Sequence, residues 1–417
     1  LATPTTKPPY AVPSVAQTRS EPRNGLRVVS TFSGAGGSSY GYEMAGYEPR
    51  LACEFVESVA ECYRANHPGV PVMTEDLREA SGAALLALAG LERGELDVLD
   101  GSPPCQPFST SGRGSRSWRK TADERGRGGR EDLFFDYARL VGEMQPRAFV
   151  AENVAGLVRG TAKGYFKKIF AELAAQGYRV EARLVDAQWL GVPQVRRRVI
   201  FVGVREDLGL DPAFPDPLPY RYSMQDALPW IVRTGYDGGT HPPESTWGRV
   251  DVVHGDEPAP TVQAVGIFGD SRGSPGDRKY WVESRKIRVG EVVPDDVAAA
   301  LDGYAVGDEW DGLAPGGQSD RFFNLIRPDP DEPLPTVTAS GVGGVENLGA
   351  PGGVASVTHP TEKRKFAIAE LRRLCGFPDD YVLTGSYAER WACLGNAVPP
   401  PMMFHVARTL AEEVLLR

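Results

Sequence analysis

Pro103-Pro104-Cys105-Gln106, set directly after the apolar run Leu96-Asp97-Val98-Leu99-Asp100, fixes a thiol at the end of an expected strand. Alone, such a cysteine is more often a small buried hydrophobe than a nucleophile. Its company changes that ranking. Ala151-Glu152-Asn153-Val154 and Gln194-Val195-Arg196-Arg197-Arg198 stand beside later apolar runs, and Phe32-Ser33-Gly34-Ala35-Gly36-Gly37 precedes them all. Thiol, acid, paired guanidiniums and a cofactor-type turn together describe one reaction.

The elements that must position these groups are legible as alternation. Apolar strand-like runs are expected at Leu26-Thr31, Arg50-Phe55, Val70-Met73, Asp97-Asp100, Ala148-Glu152, Arg179-Asp186 and Val199-Val204. Between them lie amphipathic segments at Ser38-Ala45, Ser58-Asn66, Asp132-Met144 and Lys163-Gln176, the last closed by Gly177 as a C-terminal cap. This pattern predicts an α/β fold, a doubly wound, mostly parallel sheet with helices on both faces. Residues 1–23, rich in Pro, Thr and Ser, are expected as a flexible tail, and 24–205 as the catalytic and cofactor-binding domain. From 206 to 360 Pro and Gly become dense and helical periodicity disappears, which marks a second, smaller, irregular domain. It carries a short repeat, Asp256-Glu257-Pro258-Ala259-Pro260-Thr261-Val262 and Asp331-Glu332-Pro333-Leu334-Pro335-Thr336-Val337. Helical signals return at Ile368-Leu374 and Met402-Leu416, so 361–417 is expected to pack back on the first domain.

With 417 residues the chain can bury more than one core. No segment approaches the roughly 20 consecutive apolar residues of a membrane span, and the start has no signal-type stretch, which predicts a cytoplasmic protein with no membrane partner. Five cysteines with no CxxC pair argue against a disulfide framework and a structural metal. The formal charge of -9 would ordinarily disfavour a polyanionic partner. Its distribution matters more: between Ser111 and Arg130 the basic residues Arg113, Arg116, Arg119, Lys120, Arg125, Arg127 and Arg130 face only Asp123 and Glu124. Composition alone fits a solvated loop as well as a phosphate-binding one; the position just after Cys105 favours function.

The glycine turn follows a strand and opens a helix, as a nucleotide-type binding turn or a plain structural turn would. Glu54, at the end of the next strand about 20 residues on, is where such sheets place a carboxylate for ribose hydroxyls. Phe55 could stack on adenine or pack in the core, and Asp76 is placed to meet the adenine edge. No lysine-bearing phosphate cradle accompanies the turn, so an adenosyl group without phosphates, such as S-adenosylmethionine, is the better ligand.

In order the chain carries Phe32-Ser33-Gly34-Ala35-Gly36-Gly37, Pro103-Pro104-Cys105-Gln106-Pro107-Phe108-Ser109, Glu152-Asn153-Val154, Gln194-Val195-Arg196-Arg197-Arg198, Arg373-Leu374-Cys375-Gly376-Phe377-Pro378 and Gly395-Asn396-Ala397-Val398. This series resembles the DNA cytosine-5 methyltransferase family over nearly everything except the tail and 206–360. The resemblance implies a Rossmann-like class I methyltransferase sheet, S-adenosylmethionine as donor, and duplex DNA as partner of a chain acting as a monomer, nucleoid-associated and of prokaryotic type. It places the donor against Phe32, Ser33, Gly34, Gly36 and Gly37, with Glu54, Phe55, Asp76 and Leu77 on the next strands and Pro103 and Asn396 completing the pocket. It places DNA against Gln106, Ser109, Arg113, Arg116, Arg119 and Lys120, with 206–360 as the target-recognition domain.

Cytosine C5 is too weak a nucleophile to take a methyl group unaided. In the mechanism the resemblance implies, the Cys105 thiolate adds to C6 and Glu152 supplies a proton to N3, while Arg198 donates to O2 and Arg196 positions the thiol. A free thiol is only a few per cent ionised near neutrality, so Arg196 and Arg198 are candidates to help it. Burial with few positive neighbours would favour the protonated form of Glu152, with Asn153 holding its orientation. A stacked base is out of reach, so it must be flipped out. Two alternatives remain: a tRNA cytosine-5 methyltransferase using the same catalytic set, and a catalytically silent DNA-binding homologue. Retention of all four catalytic residues argues against the second.

Overall fold

The computed structural model describes residues 7–104, 133–158, 162–228, 259–260, 313 and 366–417. A seven-stranded sheet organises them. Its strands are β1 (Arg27–Thr31), β2 (Glu48–Cys53), β3 (Val72–Met73), β4 (Val98–Gly101), β5 (Ala148–Val154), β6 (Tyr178–Asp186) and β8 (Arg197–Arg205), in the order β3-β2-β1-β4-β5-β8-β6. All neighbours run parallel except β8, which lies antiparallel between β5 and β6. The expected mostly parallel, doubly wound sheet is therefore present. The order reverses between β1 and β4, and ligands of such sheets bind in the crevice beyond the strand ends at this switch point. The glycine turn leaves β1 there, and the segment leading to Cys105 leaves β4.

The core strands are built from the Val, Leu, Phe and Ala runs seen in the sequence, buried on both faces as central parallel strands require. One face is covered by α4 (Gly82–Ala89), α5 (Leu133–Met144) and α6 (Lys163–Ala175), which bury Leu85, Phe134, Leu140 and Leu173 against Leu99, Phe149 and Phe201. The other face is covered by α2 (Gly37–Met44) and α10 (Pro400–Leu410), whose Met402, Met403, Val406 and Leu410 meet Val28, Val150 and Val202. The two helices approach closely at Gly41, where a Cβ would stand 2.7 Å from that of Met403.

A third cluster joins the chain ends. Tyr40 of α2 and Cys62 of α3 (Glu57–Asn66) pack with Ile368 and Leu371 of α8 (Ile368–Leu374) and Trp391 of α9 (Tyr387–Asn396). Residues of 366–417 pack in this cluster and on the face covered by α10. The expectation of a flexible tail over 1–23 is corrected for its described part. Helix α1 (Val15–Ser20) has a Ser14 capping box and buries Val15 and Thr18. The Asp380 carboxylate accepts from the Val15 and Ala16 amides at 2.9 and 3.4 Å, and the Tyr10 hydroxyl donates to Arg373 O at 2.8 Å. A Pro/Thr-rich stretch has no periodicity of its own; partners more than 350 residues away order it.

The domain boundary expected at 206 falls inside the same packing. Phe214 lies against the α10 face, and Met224, Ala227 and Leu228 of the α7 segment (α7, Met224–Ala227) join the third cluster. Beyond 228 only Ala259–Pro260 and Leu313 are described before 366; Ala259–Pro260, within the first copy of the repeat, form strand β9 parallel to β7 (Gln194–Val195). The second copy lies outside the described residues.

Candidate active site

The turn after β1 bends sharply. Phe32 adopts φ 52°, and Gly34 and Gly36 adopt φ 56° and 94°, a left-handed series that glycine accepts without strain at two of its three positions. Its two faces differ. A Cβ on Gly34 would meet nothing within 4 Å, whereas one on Gly37 would stand 2.4 Å from the carbonyl oxygen of Val398 and 2.9 Å from Phe377 Cζ. Gly37 is thus pressed against the segment after α9, and Gly34 lies on the open side.

Glu54 follows β2 and reaches back to the turn. Its carboxylate accepts from the Gly34 amide at 2.9 Å and from the Val56 amide at 2.9 Å, while burial pushes its pKa up. Phe55 beside it is 68% exposed, which a ring serving only the core would not be. Asp76 is held ionised by Arg78, with Nε 3.0 Å from each carboxylate oxygen. Leu77 stands differently: its side chain is in the core cluster under α5, and its carbonyl accepts from Arg139 at 2.9 Å. Asn396 ends α9 and is exposed.

Pro103 is buried, and its carbonyl accepts from Asn153 Nδ2 at 3.1 Å. Asn153 therefore ties the segment after β4 to the end of β5, and holds the approach to Cys105 rather than the Glu152 carboxyl. Cys105, Gln106, Ser109, Arg113, Arg116, Arg119 and Lys120 lie outside the described residues.

Glu152 and Arg198 meet because β5 and β8 pair antiparallel with Val154 opposite Arg198. Arg198 Nε stands 2.6 Å from Glu152 Oε1, with side chains 13% and 11% exposed. The expectation of few positive neighbours around Glu152 is corrected: a guanidinium is its immediate partner. Arg196 points the opposite way from the exposed Arg197, which pairs with Asp186 at 2.9 Å. It is fully buried, donates to Gly395 O at 3.0 Å, and has its pKa pulled down to about 9 by burial and by Arg198. A buried cation thus joins the β7–β8 arginines to the segment that presses on Gly37. Cys375 is packed, its thiol pushed up to about 11 by burial.

Two groups were not singled out from sequence. Asp100, at 2% exposure in β4, accepts from Ser30 Oγ at 2.9 Å and Ser38 Oγ at 2.8 Å, and burial raises its pKa to about 7. Its signal was a carboxylate inside an otherwise apolar strand run. The other is a buried set, Glu43, His67 and Tyr381, beneath the glycine turn. No local pattern marks it, since its members come from α2, the end of α3 and the segment after α8.

The model of the C-5 cytosine-specific DNA methylase family matches residues 26–232 and 324–412. The chain belongs to this family. It is similar to the type II methyltransferase M.NgoPII of Neisseria gonorrhoeae, with 33% identity over 400 residues covering 94% of this chain and 97% of that one. M.SacI of Streptomyces achromogenes is 29% identical over 406 residues, 93% of each chain. Among solved structures, a DNA modification methyltransferase encoded within an E. coli prophage superposes with a TM-score of 0.62 at 22% identity, covering 94% of this chain and all of that one. A DNMT2 variant from Spodoptera frugiperda gives 0.51 at 15% identity over 94% and 100% of the two chains, a likeness of fold. The chain is a DNA cytosine-5 methyltransferase that uses a methyl donor. Among the described residues no helix is long and apolar enough to cross a membrane.

Proposed function

We propose that the chain moves a methyl group from S-adenosylmethionine to C5 of cytosine in duplex DNA, through a transient bond between the Cys105 sulfur and C6 of a flipped-out base. The observation that carries this reading is the Glu152–Arg198 pair, held at the ends of β5 and β8 beside the Pro103 carbonyl that precedes Cys105.

The turn fits an adenosyl donor. Gly34 leaves open space, Glu54 already shapes the turn and would hold ribose hydroxyls, and the exposed Phe55 ring would stack on adenine, with Asp76 at its edge. No lysine stands in the turn to meet phosphates. When bound, such a donor supplies an electrophilic methyl on a positively charged sulfur. The chain's own residues prepare the base. The Cys105 thiolate forms a bond to C6, ring electrons move toward N3, and Glu152 delivers the proton that N3 takes up. C5 is left electron-rich, and after it gains the methyl its proton passes to water as the sulfur–carbon bond breaks, which returns the thiolate, while N3 gives its proton back to Glu152. Arg198, shared between Glu152 and cytosine O2, offsets the charge that builds on the ring. Arg196 holds the arginine segment against Gly395 and thereby sets where Arg198 points. The basic loop after Cys105 would contact phosphates, and 206–360 would read the target.

Incubation with duplex DNA carrying 5-fluorocytosine and S-adenosylmethionine tests the reading, because fluorine cannot leave as a proton does. A stable covalent complex is expected with the native chain and none with Cys105→Ala. Absence of any adduct in folded, donor-loaded native protein refutes the covalent route. Bisulfite-type sequencing of DNA from expressing cells identifies the modified base and its context.

A further inference from the structure

We propose that Tyr381, ordered by His67 and Glu43, is a positioning residue for the donor-binding turn, an inference that rests on the donor reading above. Tyr381 comes from the segment after α8 and is fully buried, and its hydroxyl donates to Ala35 O at 2.6 Å. The same oxygen lies 3.3 Å from His67 Nε2, and His67 Nδ1 lies 3.1 Å from Glu43 Oε1. Burial holds the phenol in its protonated form, well above its ordinary range.

Hydrogen counting fixes the direction of the chain. A phenol has one hydrogen, and here it goes to Ala35 O, so His67 Nε2 must be the donor to the tyrosine oxygen. The Nδ1 contact then joins the imidazole to the Glu43 carboxyl, which orients the ring from the other side. The imidazole is further clamped against Tyr63, with ring centroids 4.3 Å apart. His67 is fully buried and Glu43 is 5% exposed, so solvent does not compete for these bonds.

The turn is shaped to receive this set. A Cβ on Gly36 would stand 2.5 Å from His67 Nε2 and 2.7 Å from the Tyr381 hydroxyl, so only glycine permits the approach. On the far side Glu54 holds the amide of Gly34. Two peptide groups of one turn, one apart along the chain, are thus gripped, by Glu54 at the Gly34 N–H and by Tyr381 at the Ala35 C=O. Packing alone would need only a phenylalanine ring, since Phe377 and Tyr40 already meet the Tyr381 ring edge-on at 4.8 and 5.6 Å. The hydroxyl adds the registration of the turn.

The test uses the full chain with Tyr381→Phe, which keeps the ring and leaves Ala35 O and His67 Nε2 without their partner. Calorimetric binding of S-adenosylmethionine and steady-state kinetics on duplex DNA are measured together. The expected result is a donor Kd and KM raised about tenfold, with kcat and the KM for DNA changed by less than about twofold. Glu43→Gln, which loosens the ring without emptying the site, is expected to raise the donor Kd about threefold by the same loss, and it carries the test should Tyr381→Phe not fold. A donor Kd unchanged in either folded variant, or a fall in kcat with the donor KM unmoved, overturns the inference and leaves the donor reading intact. Failure of the native chain to bind S-adenosylmethionine overturns the donor reading, and this inference with it.

Discussion

Substituting Gly37 by alanine sets two effects against each other. Gly37 opens α2 and its φ is not positive, so the backbone accepts alanine, and helix propensity alone would favour the change by up to about 1 kcal/mol. Space opposes it. The new Cβ would lie 2.4 Å from Val398 O and 2.9 Å from Phe377 Cζ, and the first of these is backbone with no side chain to rotate away. Ordinary contact lies near 3.5 Å or beyond, so the segment after α9 must retreat by about 1 Å or α2 must tilt. Overpacking of this kind costs about 1–3 kcal/mol, and the net expectation is a loss of about 2 kcal/mol. Gly34→Ala is the contrast. It meets no atom within 4 Å but must hold φ 56°, a left-handed strain of about 1–2 kcal/mol. Thermal unfolding of both variants, followed by near-UV circular dichroism with and without S-adenosylmethionine, separates them. Gly37→Ala is expected to lower the midpoint of the free protein more, by about 2 °C. Gly34→Ala is expected to lose most of the upward shift that the donor produces. A Gly37→Ala protein as stable as the native one would show that the segment after α9 does not bear on the turn, and would remove the packing argument.

Arg198→Met removes the guanidinium paired with Glu152 and leaves Arg196 as the remaining cation near that nearly buried carboxyl, and a stability loss of about 3 kcal/mol is expected by chemical denaturation, together with loss of methyl transfer. Asp100 gives the fold a pH dependence of definite sign. Its folded pKa, about 7, lies above its unfolded value, so folding disfavours the ionised form: stability falls as pH rises from about 4 to about 7 and is level above that. Asp100→Asn, which keeps an acceptor for Ser30 and Ser38, is expected to flatten that slope in unfolding midpoints taken at pH 5 and 8; an unchanged slope counts against the assignment. Asp380→Ala removes the acceptor at the start of α1 and is expected to cost about 1 kcal/mol and to speed proteolytic removal of the first residues. Equal cleavage rates would mean that α1 is held by other contacts.

Strands β1, β4, β5 and β8 were legible because each holds a compact apolar run, and helices α3, α5 and α6 because polar and apolar positions recur at helical spacing. Helix α4 escaped notice for the opposite reason. Gly82-Ala83-Ala84-Leu85-Leu86-Ala87-Leu88-Ala89 has no polar face, although its Ser81 cap and its left-handed Gly90 were readable end signals. Helix α9 was not assigned from sequence, where Gly395-Asn396 stood out only as part of a motif; these residues are its last two. At the site, motif order sufficed to nominate Glu152, Arg196 and Arg198, but not the contact between Glu152 and Arg198. That contact follows from β8 running backward beside β5, a pairing no local pattern announces. The Glu43–His67–Tyr381 set is further still from view, because 314 residues separate His67 from Tyr381.

Val398, Phe377 and Tyr381 press on a turn made more than 330 residues earlier, so the wall behind the turn is supplied by a part of the chain synthesised long after it. A nascent chain still tethered to the ribosome, or a product of premature termination, carries the thiol and the acid and yet lacks the wall behind the turn. Methyl transfer would then begin only with copies translated past Val398. The same division suggests an engineering route: two separately expressed halves, severed between 228 and 366, would each be inert and would regain activity only on meeting.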